Sequence, residues 1–164
     1  MATHELRPIY PVDGGDNADF DFRNWPIESG ETFLKGSFLV DAGDGEVEEA
    51  GDNPASIIGV SLAGAADYAW QYDTFGTVAP SMPFATADTE FRGTLVGTIS
   101  DVAGVIGATY GVTKQVSGYW AVDSAKDSSN QRVRITGVDG EAADGDVNIP
   151  VTFVILPANQ VVIK

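Results

Sequence analysis

Apolar residues recur at every second position through much of this chain, in short runs separated by turn-forming residues. The clearest run is Val147, Ile149, Val151, Phe153 and Ile155, which share one face of an extended segment. Pro150 falls on the other face and predicts an edge strand or a bulge. In Gln131 to Thr136, Val133 and Ile135 face in while Arg132 and Arg134 face out, and Tyr119 to Asp123 reads as a further strand. Phe91, Leu95 and Ile99 alternate with Arg92, Thr94, Val96 and Thr98; Gly93 and Gly97 leave room there for a bulge or a close backbone approach. Val102 to Val112 contains Gly104, Gly107 and Gly111, each costing a helix ~1 kcal/mol, so a short helical turn capped by Ser100 or Asp101 is the most it allows. Val161-Val162-Ile163 is expected to add a terminal strand after the turn Pro157-Ala158-Asn159.

Earlier in the chain, Thr32 to Val40 is rich in strand formers and stops at Asp41. Ala42-Gly43-Asp44-Gly45 is turn material, because Gly reaches positive φ freely and Asp bonds its own backbone. The acidic segment Glu46 to Ala50 and a second turn, Gly51-Asp52-Asn53-Pro54, lead into Ser56 to Leu62. There Ile58, Val60 and Leu62 alternate with Ile57, Gly59 and Ser61, predicting a three-stranded meander over 31–65. Tyr68, Trp70 and Tyr72 then recur at a period of two in a segment that Ser81-Met82-Pro83 ends. Three aromatics on one face suit internal packing, a subunit contact or a sugar-stacking platform. The first thirty residues differ from the rest, with Pro8, Pro11 and Pro26 interrupting regular pairing and Asp13 to Asn17 forming a polar patch. Ile9, Tyr10, Phe20, Phe22 and Trp25 lie among them, too apolar for a plain disordered tail. They either cover the protein's own core or anchor an extended arm on a neighbouring subunit. The expectation is an all-β fold, a small β-barrel or β-sandwich of about eight to ten strands. An N-terminal arm (1–30) precedes a single β-domain (31–164), comprising the meander (31–65), an aromatic connecting segment (66–88) and the main strands (89–164).

Lys35-Gly36, the turn Asp41 to Gly45, and Ile57-Ile58-Gly59-Val60 follow one another in an order that resembles the capsid decoration (cement) proteins of tailed bacteriophages. A second patch, Tyr110-Gly111-Val112-Thr113 with Ser117-Gly118-Tyr119-Trp120-Ala121-Val122-Asp123, looks like the later half of the same proteins. The resemblance implies a β-tulip-like fold and a virion structural protein that binds the exterior of an assembled capsid and stabilises it. It further implies a homotrimer at three-fold positions, the major capsid protein as partner, and assembly in the host cytoplasm. In that reading Ile9, Tyr10, Phe20, Phe22, Trp25, Tyr68, Trp70 and Tyr72 are the candidate capsid or subunit interface. The alternative is a carbohydrate- or receptor-binding module resting on Tyr68, Trp70 and Tyr72.

Charge narrows the choice of partners. With 9 basic and 24 acidic residues the chain carries −15, a field that repels phosphate backbones and anionic membranes. Nucleic-acid and membrane binding are therefore disfavoured, and the acidity suits either simple solubility or crowding of repelling copies on an outer surface. The N-terminus lacks the apolar stretch of a secretory signal, and no run approaches the ~20 apolar residues that span a bilayer.

The residues offer little to catalysis. There is no Cys, and His4, the single imidazole, falls in an expected mobile terminus, so neither a Ser-His-Asp site nor a multi-histidine metal site can form from one chain. Asp73-Thr74-Phe75-Gly76 departs from the Asp-Thr-Gly of aspartic proteases at its third residue. No phosphate-binding glycine loop is present. Asp41, Asp44 and Glu46, and separately Asp139, Glu141, Asp144 and Asp146, put carboxylates in Gly-containing loops of the kind hard cations use, but neither follows the twelve-residue calcium pattern. Solvated turns explain both loops better. The expectation is a protein that is not an enzyme and needs no cofactor.

Overall fold

In a computed structural model, residues 1–12, 22–68 and 81–161 are described, with Phe22 described by its backbone. They form an almost entirely β architecture of two sheets. The first sheet contains β1 (Tyr10–Pro11), β7 (Glu90–Thr98), β8 (Thr109–Lys114), β9 (Trp120–Asp123), β10 (Val133–Val138) and β11 (Val147–Ile155). Its order is β1-β7-β11-β10-β8-β9, and a parallel pairing of β9 with β7, Leu95 opposite Val122, closes the last five strands into a barrel. The second sheet has the order β2-β6-β5-β3-β4, from β2 (Phe22–Pro26), β3 (Phe38–Asp41), β4 (Val47–Glu49), β5 (Gly59–Ser61) and β6 (Ser81–Thr86).

The barrel follows the period-two pattern closely. Ile149, Val151, Phe153 and Ile155 on β11 are buried, as are Val133 and Ile135 on β10, while Arg134 is exposed. Pro150 does not mark an edge, because β11 runs between β7 and β10. It sits where β10 ends at Val138 opposite Val151, beside a register shift between Val147 and Ile149. Gly97 lies at this irregularity with φ +114°, and its N–H donates to the side chain of Asn148. Gly93 serves close approach: a Cβ there would lie 3.1 Å from both Ile9 and Phe153. The helical turn α1 (Val102–Val105) is capped by Asp101, whose carboxylate accepts from the Gly104 N–H.

The second sheet departs from expectation in three places. The strand predicted from Thr32 begins only at Phe38, because Gly36 turns with φ +84° and lies against the backbone of Ile9. The expected meander is replaced by the order β5-β3-β4, with β3 in the middle. The reason is burial: Ile57 through Ser61 are all buried, so this segment needs cover on both faces and takes an interior place between β3 and β6. The Ile58 N–H donates to the carbonyl of Leu39, which also stands opposite Gly59, and this local irregularity puts Ile58 and Val60 into different core clusters. Third, Ser81-Met82-Pro83 opens β6 instead of ending a segment, and β6 pairs with both β2 and β5.

Two apolar layers result. One fills the barrel and the face of the second sheet packed on it, joining Phe38, Val60 and Ala85 to Phe91, Trp120 and Phe153. Phe38 meets Trp120 edge-on at 5.3 Å. The other layer lies on the far side of the second sheet, where Phe33 and Ala65 cover Leu39, Val47, Ile58, Met82 and Phe84. Glu49 fastens sheet to barrel, since its carboxylate accepts from the Trp120 indole, the Ser37 hydroxyl and the Lys114 ammonium.

The N-terminal segment is built into both sheets. Thr3 bridges to Val147, β1 pairs with β7, β2 pairs with β6, and Ile27 bridges to Val47. His4, expected in a mobile terminus, is held there by its N–H to the Val147 carbonyl and its imidazole to Asp146 at 3.3 Å.

Candidate functional site

The expected interface residues separate into different surroundings. Ile9 is a correction: it is fully buried in the barrel core and offers nothing to a neighbour. Trp25, half-buried on β2, packs edge-on against Phe84 at 6.2 Å. Tyr68 ends a 3₁₀ turn over Ala65–Tyr68, not a strand, and packs with Trp25 against the outer apolar layer. Phe20, Trp70 and Tyr72 lie outside the described residues, as does the side chain of Phe22.

Tyr10 belongs to a cleft. It stands directly opposite Arg92 across the β1–β7 pair, which puts both side chains on one side of the sheet. The Tyr10 hydroxyl bonds to the Arg92 guanidinium, and that bond, followed by the charge of Asp139, raises the arginine pKa. Asp139 follows β10, and its N–H donates to the carbonyl of Pro150, bringing its carboxylate to 3.4 Å from Arg92. His4, Glu5, Arg7 and Glu141 complete the walls of a depression of about 320 Å³. Gly93, Thr94, Gly140 and Pro150 also line it. Among the described residues Arg7 has no hydrogen bond or ion pair, and the buried Nε of Arg92 has no acceptor.

His4 links this cleft to Asp146. The Asp146 carboxylate accepts from the N–H groups of Ala2 and Ala143, at 2.6 and 3.0 Å, and faces the His4 ring. Those donors, Ala2 first, draw its pKa from 3.8 down to about 2. Asp144 accepts from the N–H of Val102, while Asp139 faces Arg92. Three of the loop's four candidate carboxylates are thus engaged by protein groups instead of converging on a cation site.

The other acidic loop rearranges too. Asp41 and Asp44 accept from the N–H groups of Gly43 and Glu46, the Asx turns expected of them. Glu28, unforeseen in the sequence, joins Asp44 and Glu46 with carboxylate oxygens within 4.8 Å of one another. Glu46 has a raised pKa, chiefly from burial, then from its hydrogen bond with Glu28 and the charge of Asp44. A second polar depression, of about 290 Å³, holds Tyr110 between Asp101 and Asp127; burial and then those two charges raise its phenol pKa.

The Arg7–Arg92 cleft is invisible to local pattern, because it depends on residue 10 pairing with residue 92. Chemically the cleft can hold a polar group of either sign. No family model, curated protein or solved structure matches the chain.

Proposed function

We propose that this protein is a virion structural protein that binds the exterior of an assembled phage capsid and stabilises it. The resemblance of its two sequence patches to phage decoration proteins carries the reading, and one structural observation supports it. The first patch supplies β3, β4, β5 and their turns, and the second supplies the β8–β9 hairpin. The two dock on each other through Glu49 with Lys114 and Trp120, and through Phe38 on Trp120. The elements that hold the resembling residues therefore pack against one another.

In this reading the protein acts as a homotrimer that clamps neighbouring major capsid subunits. Its −15 charge makes free copies repel, so attachment depends on contacts repeated over a symmetric shell. The test is co-sedimentation of the purified protein with empty capsids from the same source, with sedimentation velocity reporting its own oligomeric state. Saturable binding that raises the capsid's melting temperature is expected. Protein remaining in the supernatant at all capsid concentrations would refute the proposal.

A further inference from the structure

We infer that the cleft between the N-terminal segment and β7 is a binding site for a carboxylate carried beside a basic group, such as an Asp-Lys pair in a partner polypeptide. The proposal stands on the cleft alone and does not depend on capsid attachment. Its first support is the state of the two arginines. In a chain with 24 acids to 9 bases, Arg7 has no carboxylate partner among the described residues. Arg92 is held by a hydroxyl and by one ion pair of 3.4 Å, its side chain is 40% exposed, and its Nε lacks an acceptor. A guanidinium is a planar fork suited to two parallel bonds with a carboxylate, and here that fork is only partly used. The Nε itself is enclosed, so a ligand carboxylate in the cleft would meet the terminal nitrogens of Arg92, of which Asp139 takes one.

The second support is the acids in the same lining. Glu5, Asp139 and Glu141 face the same space as the arginines. They repel a compact multivalent anion such as phosphate, yet they offer a place to an ammonium or guanidinium adjoining the carboxylate. Size agrees: about 320 Å³ lies at the lower end of ligand clefts, roughly 300–1,000 Å³, and suits one or two side chains. The β1–β7 pairing sets Tyr10 opposite Arg92 and fixes both on a sheet.

The probe is a blocked tetrapeptide, acetyl-Gly-Asp-Lys-Gly-amide, titrated into the ¹⁵N-labelled full chain at low salt. Free glutamate and inorganic phosphate are titrated in parallel. Expected are chemical-shift changes centred on Arg7, Tyr10, Arg92 and Gly140, with a Kd in the millimolar range, about 1–10 mM. Arg7 is exposed and unpaired, so Arg7→Gln keeps the fold and weakens the peptide about fivefold or more, and Arg7→Lys restores part of the loss. Glutamate binding as tightly as the peptide would assign the same chemistry to a free amino acid and overturn the polypeptide as its source. Phosphate binding more tightly than either, shifts located elsewhere, or an affinity untouched by Arg7→Gln would overturn the site as described.

Discussion

Replacing Phe153 by Ala tests whether the barrel core is arranged as described, and Gly93 makes the test specific. Phe153 is fully buried on β11, tilted against Phe91 at 6.0 Å and Phe38 at 6.4 Å. Removing its ring leaves a cavity between barrel and second sheet, at an expected cost of ~3–5 kcal/mol. That is a large share of the ~5–15 kcal/mol by which such domains are stable. Gly93 crosses the same space: a Cβ there lies 3.1 Å from Phe153 Cε1 and 3.1 Å from Ile9 Cγ1. Gly93→Ala alone should therefore overpack the site and cost ~1–3 kcal/mol. In the Phe153→Ala background one of those contacts is gone and the added methyl enters empty volume, so its cost should fall by ~1 kcal/mol or more. Equilibrium unfolding in urea of the four proteins, at unchanged m-value, gives the coupling directly. A Phe153→Ala loss below ~1 kcal/mol would mean that the strand faces are reversed. Equal Gly93→Ala costs in both backgrounds would mean that the Phe153 ring does not lie over Gly93.

Glu49→Ala strips the Trp120 indole and the Ser37 hydroxyl of their acceptor, so a loss of ~2–4 kcal/mol and a red-shifted tryptophan emission are expected, with Glu49→Gln milder. Asp146 has a folded pKa of about 2, below its ordinary 3.8, so its contribution is complete above 3.8 and disappears as pH falls toward 2. Asp146→Asn should accordingly be less stable than the parent at pH 6, with the difference closing between pH 4 and 2; a constant gap would contradict the Ala2 and Ala143 contacts as its source. EDTA should leave the melting temperature unchanged, and a drop of several degrees reversed by calcium would instead make ligands of Glu28, Asp44 and Glu46.

Local pattern was enough wherever a strand exposes one face to solvent. β10 and β11 show this, because alternation is what a half-buried strand writes into sequence. It failed where both faces are covered. Ile57 to Ser61 was readable as an alternating strand, but the same residues form a continuous buried run, which places β5 inside the sheet and not at the end of a meander. β6 was hidden by Pro83, which read as a terminator. In the fold Pro83 lies opposite Asn24, its carbonyl accepts from the Leu62 N–H, and Met82 and Phe84 on either side are fully buried. The cleft at Arg92 was out of reach for another reason. Its walls come from residues near 5, 92 and 140, and no period or motif connects segments that meet only through strand pairing.

The integration of the N-terminal segment changes what a truncation can reveal about capsid binding. Deleting residues 1–30 removes Ile9, which is fully buried, and both β1 and β2. Gly36 and Gly93 are shaped around Ile9, with added Cβ atoms falling 2.5 Å from its backbone N and 3.1 Å from its side chain. The truncated chain would therefore expose a hole in the barrel and an open edge on each sheet, and lost binding would report lost folding. Single substitutions separate the two outcomes. Trp25→Ala removes a half-buried ring that Phe84 already contacts, so an effect on its own fold is expected and must be measured first by urea unfolding. Phe20→Ala and Trp70→Ala are then compared on the same two axes. A variant that keeps its unfolding midpoint while losing capsid co-sedimentation carries a contact residue, worth ~1–4 kcal/mol if it is a hot spot. One that loses both belongs to the protein's own packing, as Ile9 does.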